Sequence, residues 1–422
     1  MNNIYIFDAY IIKAINYKNI PPTMNRNNIL LLITGLIIFI YSLASGVIFF
    51  VIPNKAEALF QNYALIGALI AIPNLFSLLF DVPIGGFVNK LGKKRILLTG
   101  LVSMVLLGPF LPAVNSITPF IIFMLILGLM NQFILISSRS YVIDISPEKN
   151  TSRSFGIYEA FLAFGFTLAP LTAPLLMTGD LQSTDSNIGI FYSVICLIAL
   201  SLGLLLVEKR KIDKKAEKEP ILKGIRDFKS LKTIGIVVLS VTFLMTCIDG
   251  MIWAFEPLFL TMNIPAETVG LILVMFVLPF ALFETPAGIL ADKYGKKNML
   301  VLGLLTAGLF MLLFSQEHNP DNLIILAFLS AASASLVRPS ISGILADNSK
   351  EMETGGIVGV WNVSEDLGYV IGPIIAGLVA EMYKDVTIPF FAFGAILIIC
   401  APMIFYGIHS EKIKKHLLNH LK

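Results

Sequence analysis

Apolar side chains in this sequence run in long unbroken blocks, with neither the one-sided stripe of a surface helix nor the alternation of a half-buried strand. Twelve blocks stand out, at residues 29–53, 62–88, 95–115, 119–146, 153–177, 187–207, 234–262, 268–291, 298–316, 321–346, 355–382 and 387–408. About 20 apolar residues wound as a helix cross a hydrocarbon layer of roughly 30 Å. Each block therefore predicts a transmembrane helix, and blocks longer than about 25 residues predict tilt or extension beyond the bilayer. The fold class that follows is an all-α membrane protein with twelve transmembrane helices.

The blocks are not independent of one another. The turn DVPIGGFVNKLGKKR at 81–95 returns 203 residues later as ETPAGILADKYGKKN at 284–298, with six of fifteen positions identical. Asp144 and Asp347, Gly165 and Gly368, and Pro170 and Pro373 keep the same offset. A repeat of six helices predicts two six-helix pseudo-symmetric bundles that run the same way through the membrane, related by an axis along its normal. The bundles are expected at 29–207 and 234–408, with a charged linker at 208–233 and tails at 1–28 and 409–422. Met24, just ahead of the first block, is an alternative start.

Composition fits burial in lipid: 14% of the 422 residues are charged, against roughly 25% in soluble chains. The net charge of +3 says little, but its distribution orients the chain. Lys55 and Lys384 fall in odd-numbered connections, and Arg139 and Arg338 lie inside blocks four and ten. The remaining Lys and Arg occupy the tails and the even-numbered connections. By the positive-inside rule, both termini and the linker are expected in the cytoplasm of a multi-pass cell-membrane protein.

Several chemistries have no foothold here. No G-x-x-x-x-G-K-[ST] phosphate loop is present, so direct drive by ATP is not expected. Cys196, Cys247 and Cys400 lie inside blocks without metal-ligand spacing, and the four histidines sit in a connection or a tail. The expectation is no enzyme, no metal, no cofactor and no nucleic-acid partner.

The two turns resemble the signature of the major facilitator superfamily between helices two and three and between helices eight and nine. They read Gly85-(x)3-Asn89-Lys90-Leu91-Gly92-Lys93-Lys94 and Gly288-(x)3-Asp292-Lys293-Tyr294-Gly295-Lys296-Lys297. Gly85 and Gly288 suit close helix approach, and Gly92 and Gly295 suit the tight turn. The resemblance implies that Lys93 pairs with Asp144 and Lys296 with Asp347, forming cytoplasmic latches. It also implies a loop acid, present as Asp292 but replaced by Asn89 in the first copy; Asp81, or Glu284 in the second copy, can substitute. Gly359-(x)8-Gly368-(x)3-Gly372-Pro373, with a looser copy ending at Pro170, is similar to the Gly-Pro motif of the family's proton-coupled drug antiporters.

Ionisable groups inside the blocks are the candidates for chemistry, because an isolated charge in lipid is costly. They are Asp249, Glu159, Glu365 and Asp366, with Asn362 and Tyr369 on the same helical face as the last two, and the bases Arg139 and Arg338. Arg338 is expected near Glu365 or Asp366, and Arg139 near Glu159. An acid paired to arginine acts as a structural ion pair, whereas one facing a cavity alone can carry a proton. Glu256, beside Pro257, is expected at the membrane interface. Tyr41, Trp253, Trp361, Phe161 and Phe164 could line a cavity.

Taken with the resemblance, these residues imply a monomeric secondary transporter working by alternating access within the lipid bilayer. Its expected task is proton-coupled efflux of small amphipathic compounds. The alternative is an uptake carrier or uniporter for an organic anion or sugar; Arg139 and Arg338, if unpaired and facing the cavity, favour an anionic substrate.

Overall fold

A computed structural model describes residues 26–146, 151–177, 181–206, 231–348 and 354–420, and within them twelve helices are long and apolar enough to span a membrane. The first six are α1 (Arg26–Phe60), α2 (Tyr63–Leu91), α3 (Lys93–Leu107, continued by a 3-10 turn over Gly108–Ala113), α4 (Ile117–Ile145), α5 (Thr151–Leu176) and α6 (Leu181–Leu204). The second six are α7 (Lys232–Asn263), α8 (Ala266–Tyr294), α9 (Lys296–Gln316), α10 in two segments (Pro320–Ala334 and Val337–Asn348), α11 (Thr354–Tyr383) and α12 (Ile388–His420). The expected tail at 1–28 and linker at 208–233 lie outside the described residues, apart from 26–28 and 231–233, and so does Met24. The last helix runs on to His420, past the end of its apolar block.

The ends of these helices follow from local chemistry. Asn62 caps α2, its side chain accepting from the Leu65 N–H at 2.8 Å. Gly92 and Gly295, at φ +100° and +96°, break the chain between α2 and α3 and between α8 and α9. Only glycine takes that backbone freely, and a side chain there stores about 1–3 kcal/mol of strain. Gly295→Ala should therefore lower the melting temperature of the detergent-solubilised protein. Gly288→Ala should leave it nearly unchanged, since a Cβ on Gly288 meets nothing closer than the Pro339 Cβ at 3.7 Å. The close approach expected at Gly288 is thus absent, and Gly85 lies outside the described side chains.

Two six-helix bundles result, and the repeated small residues pack them in the same way. A Cβ on Gly165 of α5 would stand 1.9 Å from the Ser42 Oγ of α1, and one on Gly368 of α11 would stand 1.9 Å from the Thr246 Oγ1 of α7. The prolines that follow join the bundles to each other. A Cβ on Gly67 of α2 would lie 2.1 Å from the Pro373 carbonyl oxygen of α11, and one on Gly270 of α8 would lie 2.4 Å from that of Pro170 in α5. Both partners in this pair of contacts are related by the 203-residue repeat, so the seam obeys the duplication.

The bundles meet along one end of the molecule. Asn54 of α1 accepts from Thr261 of α7 at 2.8 Å, the Tyr63 N–H of α2 donates to Glu381 of α11 at 3.0 Å, and Ser77 of α2 donates to Asp366 of α11 at 2.9 Å. The last of these lies midway along both helices, and the others lie toward the end remote from the lysine turns. These contacts close the seam between the bundles at the far end.

Lys55 departs from its sequence reading. It does not sit in a connection: α1 continues past Pro53 to Phe60, and Lys55 lies 2% exposed in an ion pair with Asp185 of α6, itself 3% exposed. Both residues fall where apolar blocks had ended, and their mutual neutralisation lets the two helices run further.

Candidate functional site

Pro339 shapes the site before any charge does. Lacking an N–H, it cannot continue the hydrogen bonding of α10, and the helix breaks at Ser335–Leu336. The second segment starts at Val337, which sets Arg338 at the break and turns it toward α7. Arg338 donates to Asp249 at 3.0 Å, and the Tyr369 hydroxyl of α11 lies 3.4 Å from both. Arg338 is therefore the partner of Asp249. The expected pairing with Glu365 or Asp366 is not formed, because Asp366 is turned to Ser77 in the other bundle and Glu365 makes no ion pair among the described residues.

This triad lines a cavity of about 210 Å³ contained mostly within the second bundle. Its walls are apolar and aromatic, with Trp253, Phe276 and Phe280 from α7 and α8, and the first bundle contributes Phe50 and Pro170. Trp253 also meets Phe166 of α5 edge to face, with ring centroids 5.9 Å apart. Two further carboxylates reach the same space. Glu284, read in the sequence as part of the loop motif, lines the cavity instead of the turn. Glu256 lines it at the other extreme, only 2% exposed and with Oε1 lacking any hydrogen-bond partner. Three acids thus share one cavity with one arginine.

Glu256 was misplaced by the sequence because Pro257 suggests a helix end. In the structure α7 continues to Asn263, so position 256 lies inside the bundle. The signal that could have found it is spacing: Glu256 follows Asp249 by seven residues, two helical turns along one face.

The other candidates fall in separate places. Arg139 and Glu159 lie 3.3 Å apart in the first bundle, with neither lining the cavity. Asn362 is exposed on α11. Tyr41 is buried within the first bundle and donates to Asn131 at 2.8 Å, so of the aromatic residues proposed for the cavity, Trp253 lines it and Tyr41 does not.

At the lysine turns, Lys93 pairs with Asp144, and its ammonium also donates to the Ser140 carbonyl at 3.2 Å. Lys296 lies 2.7 Å from Asp347 and 3.5 Å from Asp292, and donates to the Gly343 carbonyl at 3.3 Å. Each lysine ties the start of one helix to the end of the next helix in the same bundle. The side chains of Asp81 and Asn89 lie outside the described residues.

A family model described as Major Facilitator Superfamily matches residues 34–261 and 238–419. Multidrug resistance protein 2 of Bacillus subtilis is 20% identical over 86% of this chain and 91% of its own. Quinolone resistance protein NorA of Staphylococcus aureus is 28% identical over 39% of this chain, and the match spans 42% of that protein. Among solved structures, a bacterial homolog of the human lysosomal transporter Spinster, captured inward-facing and unoccupied, superposes with a TM-score of 0.74 at 15% identity, covering 90% of this chain and 96% of its own. A D-xylose–proton symporter gives 0.71 at 14% identity, covering 89% and 96%.

Proposed function

The chain belongs to the Major Facilitator Superfamily, and from that membership we propose that this transporter expels small amphipathic compounds in exchange for protons. The observation that carries the reading is the excess of acid in one apolar cavity, where Arg338 neutralises Asp249 and Glu256 has no cation. A carboxylate so placed is satisfied either by a proton or by the positive end of a solute, and the two occupants exclude each other. That competition is the essence of an exchanger. The similarity to proteins named for multidrug and quinolone resistance supports the direction and the substrate class. The case for an anionic substrate loses its motive, since Arg139 and Arg338 both have acidic partners.

The lysine turns and both termini face the cytoplasm in this reading, by the positive-inside rule. The far end, where the seam is closed, is then the outer one. In this reading the transporter works as a monomer.

Proteoliposomes preloaded with a fluorescent amphipathic amine test the proposal. With the protein oriented as in the cell, acidifying the outer face should accelerate efflux of the amine above that of protein-free vesicles, and a proton ionophore, by collapsing the gradient, should abolish that acceleration. Asp249→Asn should impair flux and also loosen the fold, because the half-exposed Arg338 is left without its carboxylate and keeps Tyr369 as an acceptor. Efflux that ignores the sign and size of the pH gradient for a broad panel of such compounds would remove proton exchange from the account.

A further inference from the structure

The far end of the molecule holds a carboxylate whose two oxygens are divided between the bundles. Glu381, on the last turn of α11, accepts from the Tyr63 N–H at 3.0 Å through Oε2, while Oε1 pairs with Lys384 of its own bundle. Tyr63 is the first residue of α2, so its N–H is one of the four that a helix start leaves without an internal partner. Asn62 satisfies the Leu65 N–H in the same turn, which leaves the Tyr63 position to the other bundle. The positive end of the α2 dipole adds to the attraction.

We infer that Glu381, set on the first N–H of α2 from the opposite bundle, is the latch that holds the far end of the transporter shut. Its surroundings show that this contact closes a seam rather than decorating a surface. One turn below, Gly67 lies against the Pro373 carbonyl and Gly377, so α2 and α11 touch backbone to backbone. On the other flank, Asn54 and Thr261 bridge α1 and α7. The Gly–Pro seam is twofold, whereas the acid is not: position 178, the repeat equivalent of Glu381, is Thr. One charged hydrogen bond therefore biases a hinge that the duplication alone would leave balanced. Opening the far end must break it, whatever the solute and whatever ion drives transport.

Pulsed electron–electron distances across the far end test this without substrate or gradient. Cys196, Cys247 and Cys400 are replaced by Ala, and spin labels are placed through Ser116→Cys on the first bundle and His318→Cys on the second, both on exposed positions. With Glu381 intact, the short, closed distance should dominate. Glu381→Gln keeps the shape but removes the charge, and should raise the long-distance population about tenfold, the effect of losing a charge-assisted hydrogen bond. Glu381→Asp keeps the charge but falls one methylene short, and should move the distribution the same way. It also carries the test if the Gln variant does not fold. A lower melting temperature with unchanged distances would make Glu381 merely structural and overturn the inference. Because no solute or proton gradient enters the measurement, its failure is separate from failure of the exchange mechanism.

Discussion

Glu256→Gln is expected to reduce pH-driven efflux to the level of protein-free vesicles while leaving exchange of labelled for unlabelled neutral solute intact. The substitution preserves the volume and the hydrogen-bonding capacity of the side chain but removes its ability to alternate between a bound proton and a negative charge. Glu256 is the group for this test because it has no cation to satisfy it and sits at the end of the cavity that the closed seam protects. Asp249 is less diagnostic, since its loss also strands Arg338. Neutral-solute exchange needs the bundles to rock but needs no proton, so it separates a coupling defect from a folding or gating defect. Flux within twofold of wild type under an imposed gradient would exclude Glu256 from coupling and pass the role to Glu284, the remaining acid of the cavity without an ion-pair partner among the described residues.

The architecture was legible in the chain because its signals are local. Twenty-residue apolar blocks, a lysine turn repeated at a fixed offset and the placement of positive charge each declare themselves within a short window. The site was legible only in part, because its geometry depends on partners far away in sequence. Asp249 and Arg338 stood out singly as charges in apolar surroundings, yet their pairing follows from the break in α10 at Pro339 and from the way α7 and α10 lie together. Glu284 has the sequence context of a loop motif but a position facing the cavity, and periodicity alone does not say which side of α8 that cavity occupies.

Lys55 taught the same lesson in the opposite sense, since an apolar count ends the helix where a buried ion pair extends it. That pair supports the second large prediction. Lys55→Met should destabilise the protein by about 3–5 kcal/mol, because it leaves the Asp185 carboxylate uncompensated and almost fully buried, with one oxygen already lacking a hydrogen bond. In a thermal melt of the purified protein this corresponds to a fall on the order of 5 °C or more. The double variant Lys55→Met/Asp185→Leu should recover most of the loss, since replacing both members of a buried pair by apolar groups of similar size is often neutral or stabilising. The neighbouring residue makes the pair relevant to transport as well as to stability. Asn54 bridges to Thr261 of the other bundle from the stretch of α1 that the ion pair holds in place. The single variant should therefore raise the open population at the far end, and the double variant should restore the closed one. A Lys55→Met variant that melts with the wild type would show that the pair contributes nothing, and the extension of α1 would then need another cause.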